Sequence, residues 1–221
     1  MPQILWLFDL DNTLHNAGRD IFPRIEQNMN DFLVQKLGQD IASVSAMRQL
    51  YWQRYGATVL GLIKHQGISA QEFLHPVHDI PELTHMLRYE RGLSRLLRRL
   101  PGRKILLTNA PHGYAQRVLK HLGVGRHFER HIAIEAMHVH RQLRPKPDKL
   151  MLRRLLAREG KRAHNCILVE DSHANLRAAK ALGLRTVWIT QYLDRQHGKP
   201  SWIDVKVPSV VHLPRKLHKL R

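Results

Sequence analysis

Near its amino end the chain has a short apolar run, Ile4 to Phe8, that ends abruptly at two carboxylates, Asp9 and Asp11. A short run that is apolar on both faces is typical of a strand buried inside a parallel sheet. Ligands of open parallel sheets bind beyond the carboxyl ends of the strands. Two carboxylates this close repel each other unless a cation or a shared proton relieves them. We therefore interpret the pair as part of a functional site, and the ordinary alternative is a polar turn after a strand.

Further short apolar runs alternate with helical patterns along the rest of the chain. The runs are Lys104–Thr108, His131–Ile134, Cys166–Val169 and Arg185–Ile189, and Ile203–Val207 is one more candidate strand. The helical patterns are Tyr114–Leu122, Asp148–Glu159 and His173–Leu182. A glycine follows each helical pattern, as is common where a helix ends. Strands that alternate with helices of crossover length predict an α/β fold, a Rossmann-like doubly wound parallel sheet.

Residues 15–90 interrupt this alternation. The stretch is too long for one crossover, and it shows only helical periodicity, including a capping-box pattern at Ser69-Ala70-Gln71-Glu72. We predict two domains, an α/β core formed by residues 1–14 and 91–221 and an all-helical insertion at 15–90. An insertion after the first strand is placed to act as a cap over the active-site edge of the sheet.

The composition is that of a globular but strongly basic protein. Lys and Arg number 36 against 18 Asp and Glu, which gives a formal net charge of +18, and 43% of the residues are hydrophobic. This charge favours anionic partners. Aromatic residues do not alternate with the basic ones, so a solvated basic surface is favoured over a nucleic-acid site. Without a membrane-length apolar run or a signal-peptide pattern, we expect a cytoplasmic protein with no membrane partner.

Polar or charged side chains also follow the later predicted strands. Thr108 and Asn109 follow the second strand, Lys146 lies in a proline-flanked segment before a helix, and Glu170 and Asp171 end the fourth strand. Each has a structural alternative when taken alone, because such residues also cap helices. Their order behind the aspartate pair, rather than any single residue, indicates one common site.

This order resembles the four motifs of the haloacid dehalogenase-like superfamily of aspartate-nucleophile phosphotransferases. The motifs here are Asp9-Leu10-Asp11-Asn12-Thr13, Thr108-Asn109, Lys146-Pro147-Asp148, and Glu170-Asp171-Ser172 with Asn175. The first motif is highly specific for the family and the fourth is fairly specific. The second and third are weak evidence by themselves, and they count here because all four motifs occur in the family's order. The resemblance covers essentially the whole predicted core, and the insertion between the first two motifs is similar to the helical cap of the family.

The resemblance implies a hydrolase of phosphomonoesters with an aspartyl-phosphate intermediate. It makes Asp9 the nucleophile and Asp11 the general acid and base. It assigns the binding of the phosphoryl oxygens to Thr108, Asn109 and Lys146.

The resemblance also implies Mg²⁺ as the cofactor. The implied ligands are Asp9, the backbone carbonyl of Asp11, and Asp171, with Glu170 in or near the layer around them. Oxygen ligands of this kind suit a hard cation.

A closer resemblance is to the branch that contains pyrimidine 5′-nucleotidases. It rests on Tyr51-Trp52-Gln53-Arg54-Tyr55-Gly56 with Gly61-Leu62, Val77-His78-Asp79, and Leu107-Thr108-Asn109-Ala110. The implied partner is therefore a small phosphorylated metabolite, and specifically a pyrimidine nucleoside 5′-monophosphate.

Several alternatives stay open. A phosphatase or mutase for a sugar phosphate or another small phosphometabolite would use the same aspartates. An acid at position 11 is evidence against a dehalogenase, and neither Lys36 nor Lys64 has the context of a Schiff-base lysine in a phosphonate hydrolase. The non-enzymatic alternative is a basic nucleic-acid-binding module on this scaffold. The sequence does not indicate an oligomeric state.

Overall fold

A computed structural model of the chain describes residues 4–193 and 198–220. The strands of this part of the chain are β1 Leu5–Phe8, β2 Arg103–Leu107, β3 Arg130–Ile132, β4 His138–Val139, β5 Gln142–Leu143, β6 Cys166–Glu170, β7 Arg185–Ile189 and β8 Val205–Val207. Six of them form one sheet in the order β3-β2-β1-β6-β7-β8, and every pair in it is parallel. The predicted parallel α/β fold is confirmed.

The first strand lies at the centre of the sheet, because its sequence is apolar on both faces. All four residues of β1 are buried, and β2 and β6 flank it, with Phe8 opposite Leu106 on one side and Val169 on the other. Parallel strands in register end at the same edge, so the residues after β1, β2 and β6 lie close together.

The structure divides into two compact units, Met1–Gly18 with Leu87–Arg221, and Arg19–Met86. The second unit is helical and contains α1 Ile21–Leu37, α2 Ile41–Tyr55, α3 Thr58–Gln66, α4 Ala70–Val77 and α5 Leu83–Met86. The Ser69 hydroxyl accepts a hydrogen bond from the backbone N–H of Glu72 at 3.1 Å, so the predicted cap of α4 is confirmed. The role of this unit as a cap stays a prediction.

The larger unit carries the crossover helices α6 Leu93–Arg99, α7 His112–Leu122, α8 Lys149–Arg158 and α9 His173–Ala181. The apolar residues of α8 and α9 form one core cluster with residues of the sheet strands β1, β2, β6 and β7. All three helical patterns predicted after the second strand are present as α7, α8 and α9. Among the described residues, no helix is both long and apolar enough to cross a membrane.

Two elements of the larger unit have no counterpart in the sequence prediction. The hairpin of β4 and β5 turns at His140 and Arg141, both at positive φ, without the Asn or Gly that usually marks such a turn. The basic tail, which sequence patterns left unassigned, forms a 3₁₀ helix over Val210–Leu220. A long 3₁₀ helix has a period near three, which a search for a period of 3.6 does not detect.

Candidate active site

Asp9 is the first residue after β1, and the sheet fixes its position. Its backbone N–H donates to the carbonyl of Val169 at 3.0 Å, which continues the ladder between β1 and β6 by one bond. The residue is only 6% exposed, and its Oδ1 accepts a hydrogen bond from Lys146 Nζ at 2.6 Å. The nucleophile predicted from the sequence is therefore held on two sides, by the sheet through its backbone and by a lysine through its side chain.

Lys146 connects the first and fourth motifs. Its ammonium donates to Asp9 and also to Glu170 Oε2 at 2.7 Å, and all three side chains are buried. Burial lowers the pKa of Lys146, but the carboxylates of Asp9 and Glu170 raise it by more, so the lysine stays charged. This lysine is the cation that allows two carboxylates to lie inside the protein.

The side-chain amide of Asn109 positions Lys146 by hydrogen bonds to the backbone of that residue. Its Nδ2 donates to the backbone carbonyl of Lys146 at 2.9 Å, and its Oδ1 accepts from the backbone N–H of the same residue at 2.9 Å. Thr108 is buried after β2, where its N–H donates to the carbonyl of Ile132 and its hydroxyl accepts from the N–H of Ala110. The predicted second motif is thus tied to the third by a two-bond link that spacing alone does not reveal.

Glu170 organises the turn after β6. Its Oε1 accepts from the backbone N–H groups of Asp171 and Ser172, both at 3.2 Å, and its Oε2 accepts from Asn175 Nδ2 at 2.9 Å as well as from Lys146. Despite its burial, the charge of Lys146 and these hydrogen bonds hold the pKa of Glu170 below its usual value. Its oxygens are already occupied by donors.

The geometry of the acids fits a divalent cation. One carboxylate oxygen from each of Asp9, Glu170 and Asp171 lies within 4.8 Å of the others. Burial, followed by the charge of Glu170, raises the pKa of Asp9 to about 7 and that of Asp171 to about 10. Lys146 alone therefore does not supply enough positive charge to keep all three acids ionised. Because the oxygens of Glu170 are occupied, Asp9 and Asp171 are the carboxylates best placed to be direct ligands of Mg²⁺.

Asp11 is held by two side chains that sequence reasoning missed. Tyr114, in the first turn of α7, donates its hydroxyl to Asp11 Oδ1 at 2.7 Å, and His15 Nε2 lies 2.9 Å from the same oxygen. Burial and the nearby carboxylate of Asp11 raise the pKa of Tyr114 well above its usual value, so its hydroxyl remains a donor. His15 is fully buried, and its Nδ1 has no hydrogen-bond partner among the described residues, so we assign the ring proton to Nε2.

Asn12 bends the chain sharply after the aspartate pair. It adopts a left-handed conformation with φ of 58°, which asparagine tolerates better than most residues. Its Oδ1 accepts from the backbone N–H groups of Ala17 and Gly18 at 3.1 and 2.8 Å. The motif therefore contains its own turn, and the asparagine between Asp11 and Thr13 is a signal that could have been used to predict it.

A family model described as a haloacid dehalogenase-like hydrolase matches residues 5–183. This match covers most of the chain, so the protein belongs to the haloacid dehalogenase-like hydrolase family. The family match agrees with the order of motifs found in the sequence and with the geometry that brings three of them together around Asp9.

Among curated proteins, the chain is 27% identical over 224 residues to a phosphoglycolate phosphatase of Pseudomonas putida, covering 96% of this chain and 76% of that one. It is 26% identical over 193 residues to Phosphate metabolism protein 8 of Saccharomyces cerevisiae, covering 81% of this chain and 59% of that one. The chain thus spans about three fifths of the yeast protein's length.

Among solved structures, a HAD phosphatase from Thermococcus onnurineus matches with a TM-score of 0.66 at 20% identity, covering 97% of each chain. CbbY from Rhodobacter sphaeroides, solved in complex with phosphate, matches with a TM-score of 0.65 at 18% identity, covering 96% of each chain. At such low identity these likenesses show the fold.

Proposed function

We propose that the protein is a Mg²⁺-dependent phosphomonoesterase in which Asp9 is the nucleophile. The observation that carries the proposal is the arrangement of Asp9, Lys146 and Asp171 at the carboxyl ends of the central strands. A carboxylate that accepts a hydrogen bond from a lysine and lies beside two further acids is placed to bind a metal ion and to react with an anionic substrate. A merely structural ion pair needs no third acid.

In the first step, a carboxylate oxygen of Asp9 attacks phosphorus, and the bond from phosphorus to the ester oxygen breaks. The leaving alkoxide takes a proton from Asp11, which acts as general acid. The products of this step are the free alcohol and an aspartyl-phosphate on Asp9. Proton transfer of this kind is worth about 10²–10⁴ in rate.

In the second step, Asp11 takes a proton from a water molecule, which attacks the same phosphorus atom. The bond from Asp9 to phosphorus breaks, inorganic phosphate leaves, and both aspartates return to their starting states. Tyr114 and His15 hold Oδ1 of Asp11 through both steps and thereby fix the direction of the carboxyl group.

The phosphoryl group is bound by Lys146 together with the Thr108 segment. A lysine fixed through its backbone by Asn109 keeps its ammonium in one place, so less of the binding energy is lost in ordering it. Mg²⁺, when bound by Asp9, Asp171 and the carbonyl of Asp11, neutralises the negative charge of the phosphate that would otherwise repel the nucleophile.

Two substrate classes are supported. Pyrimidine nucleoside 5′-monophosphates are supported by the resemblance of the segment from Tyr51 to Gly56, in which Trp52 is 63% exposed and Tyr51 is buried. Phosphoglycolate is supported by the name of the Pseudomonas relatives. Both are small phosphomonoesters, and they differ only in the leaving group.

The test is a phosphate-release assay over UMP, CMP, 2-phosphoglycolate and glucose 6-phosphate, with Mg²⁺ and with a chelator. We expect turnover of at least one of these esters, and loss of turnover in the chelator that added Mg²⁺ restores. A preference for UMP and CMP supports the nucleotidase, and a preference for 2-phosphoglycolate rejects it in favour of the second class. If no phosphomonoester turns over, the proposed function is wrong.

The hydroxyl of Tyr114 is expected to orient Asp11 as the general acid. Tyr114→Phe removes that hydrogen bond, and we expect kcat/KM for an alkyl phosphate to fall about 10–100-fold, within the range of general-acid catalysis. For p-nitrophenyl phosphate, whose leaving group needs no proton, kcat/KM should fall less than about threefold, because this parameter reports the first chemical step.

The matched control is Tyr192→Phe, which removes a hydroxyl from a half-buried tyrosine in the same unit. Both substrates should turn over at the wild-type rate in this variant. Equal losses for the alkyl and aryl esters in Tyr114→Phe would show that Tyr114 supports the fold of the site rather than proton transfer.

A further inference from the structure

The solvent-facing side of α6 is made of arginines. Arg95, Arg98 and Arg99 are exposed, while the leucines of the same helix are buried. With 3.6 residues per turn, these three arginines fall within about 100° of the helix circumference. The helix therefore presents a continuous positive stripe to solvent.

Two other basic segments pack beside this helix. The 3₁₀ turn Gly125–His127 is joined to it by a hydrogen bond of 2.8 Å between Ser94 Oγ and His127 Nε2, and it exposes Arg126. The tail helix Val210–Leu220 also packs against α6. We define the basic face by its exposed cations, which are Arg95, Arg98, Arg99, Arg126, Arg215, Lys216 and Lys219.

The positive charge of the basic face is not neutralised by acidic residues in the segments that form it. Residues 91–128 and 205–221 contain neither Asp nor Glu. Within the described part of the chain, none of the seven cations is in an ion pair. The acids that flank these segments have other partners: Glu129 is paired with Arg103 at 2.7 Å, Asp204 with Lys180 at 2.6 Å, and Glu90 accepts a hydrogen bond from the Ser209 hydroxyl. Burial, and then the charges of Arg126, Lys104 and Arg98, hold the pKa of His127 below its usual value, as expected in a positive field.

The face is displaced from the candidate active site. Helix α6 ends shortly before β2 begins, and the turn with Arg126 comes shortly before β3. Both therefore lie toward the amino ends of the parallel strands. The end of the tail reaches the same edge, because Arg185 at the start of β7 donates a hydrogen bond to the carbonyl of Leu220. Asp9 follows the carboxyl end of β1, at the opposite edge of the sheet.

We propose that the basic face binds the phosphate backbone of a nucleic-acid duplex, without reading its sequence. A duplex carries one negative charge per about 1.7 Å of its axis, and five of the seven cations are arginines, whose planar guanidinium suits phosphate oxygens. The large hydrophobic residues exposed on the described part of this unit, Tyr89 and Leu150, lie outside the face, so nothing in it would insert into a membrane. It also offers no aromatic ring on which single-stranded bases stack.

The proposal is tested by fluorescence anisotropy with labelled DNA and RNA duplexes of about two helical turns, in salt from about 50 to 200 mM. The test variant is the triple substitution Arg95→Gln/Arg98→Gln/Arg126→Gln. We expect its affinity to fall about 100-fold at 150 mM salt, and the slope of log K against log salt to become shallower by about 2.7, which is 0.9 for each lost contact.

The matched control is Arg153→Gln/Arg154→Gln/Arg158→Gln on α8, which removes the same charge from exposed positions outside the face. Its affinity should fall less than about threefold. If the test triple is unstable, Arg215→Gln/Lys216→Gln/Lys219→Gln on the tail should give the same loss. Phosphatase turnover of all three variants should match the wild type, since none of these residues belongs to the catalytic machinery.

Three results would overturn the proposal. These are wild-type protein that binds no duplex at 100 mM salt, a control triple that loses as much affinity as the test triple, and binding to phosphatidylserine vesicles without binding to either duplex. None of them bears on the phosphatase proposal, which the phosphate-release assay tests separately.

Discussion

Replacing Asp9 with asparagine is expected to lower the rate of phosphatase turnover by about 10⁴-fold or more, while the protein stays folded. An amide oxygen does not attack phosphorus at a useful rate, and removal of a covalent nucleophile is among the most damaging changes an enzyme can undergo. The substitution keeps the size of the side chain. It also removes one of three crowded carboxylates, and with it one of the charges that, after burial and the charge of Glu170, raise the pKa of Asp171. The measurements are the steady-state rate and the thermal unfolding midpoint.

The control for this prediction is Asp31→Asn in the helical unit, an exposed aspartate outside the four motifs and outside the segments that carry the nucleotidase resemblance. Its turnover should stay within about threefold of the wild type. If Asp9→Asn keeps appreciable activity, Asp9 is not the nucleophile. If it unfolds, the role of Asp9 is structural, and the loss of activity carries no information about catalysis.

Replacing Lys146 with methionine is expected to cost both activity and stability. Methionine fills a similar volume, but it leaves the buried carboxylates of Asp9 and Glu170 without their shared cation. Removing one partner of a buried ion pair costs about 3–5 kcal/mol, because the remaining charge stays desolvated. We expect a loss of that size in the free energy of unfolding, measured with urea in the presence of a chelator so that bound metal does not replace the lysine.

Lys104 provides a matched control, because it is also buried but has no carboxylate in contact with it among the described residues. Its ammonium donates to the backbone carbonyls of Leu100 and Gly102 at 2.7 and 2.9 Å. Lys104→Met should therefore cost less, about 1–3 kcal/mol for the unsatisfied carbonyls, and should leave turnover unchanged. If the two variants lose the same free energy of unfolding, the ion pair of Lys146 is not what holds the buried acids together.

The sheet and the position of Asp9 could be predicted because both follow from local patterns. An apolar run such as Leu5–Phe8 has to be buried on both faces, and a parallel sheet covered by helices on both faces provides that when such runs alternate with helices. Once several such runs are recognised, the register of parallel strands brings the residues after each of them to one edge. Asp9, Thr108 and Glu170 therefore meet, although they are far apart in the chain.

The contacts of Asp11 and Asn109 could not be predicted in the same way. Tyr114 is 103 positions from Asp11, and Asn109 is 37 positions from Lys146. Which polar group a side chain meets at these distances depends on how the loops after the strands turn. No period in the sequence encodes that. The resemblance to the family assigned the amide of Asn109 to phosphate, and the structure adds that the amide is hydrogen-bonded to the backbone of Lys146.

In the helical unit, too, a contact between residues close in sequence could be predicted, whereas the contacts that select the substrate could not. The cap formed by Ser69 with Glu72 was predictable, because it depends on residues three positions apart. The leaving group that the enzyme selects depends on which side chains reach the substrate, and the sequence pattern around Trp52 does not identify those contacts. Substrate choice is therefore a matter for the phosphate-release assay.

The central claim is that Asp9 becomes covalently phosphorylated. The direct measurement is acid quenching of the enzyme during turnover of radiolabelled p-nitrophenyl phosphate, followed by digestion and mapping of the labelled peptide. We expect label on the peptide that contains Asp9, sensitive to hydroxylamine as an acyl phosphate is, and no label in Asp9→Asn. Turnover without label on any peptide, or label on a peptide that lacks Asp9, would show that Asp9 is not the nucleophile.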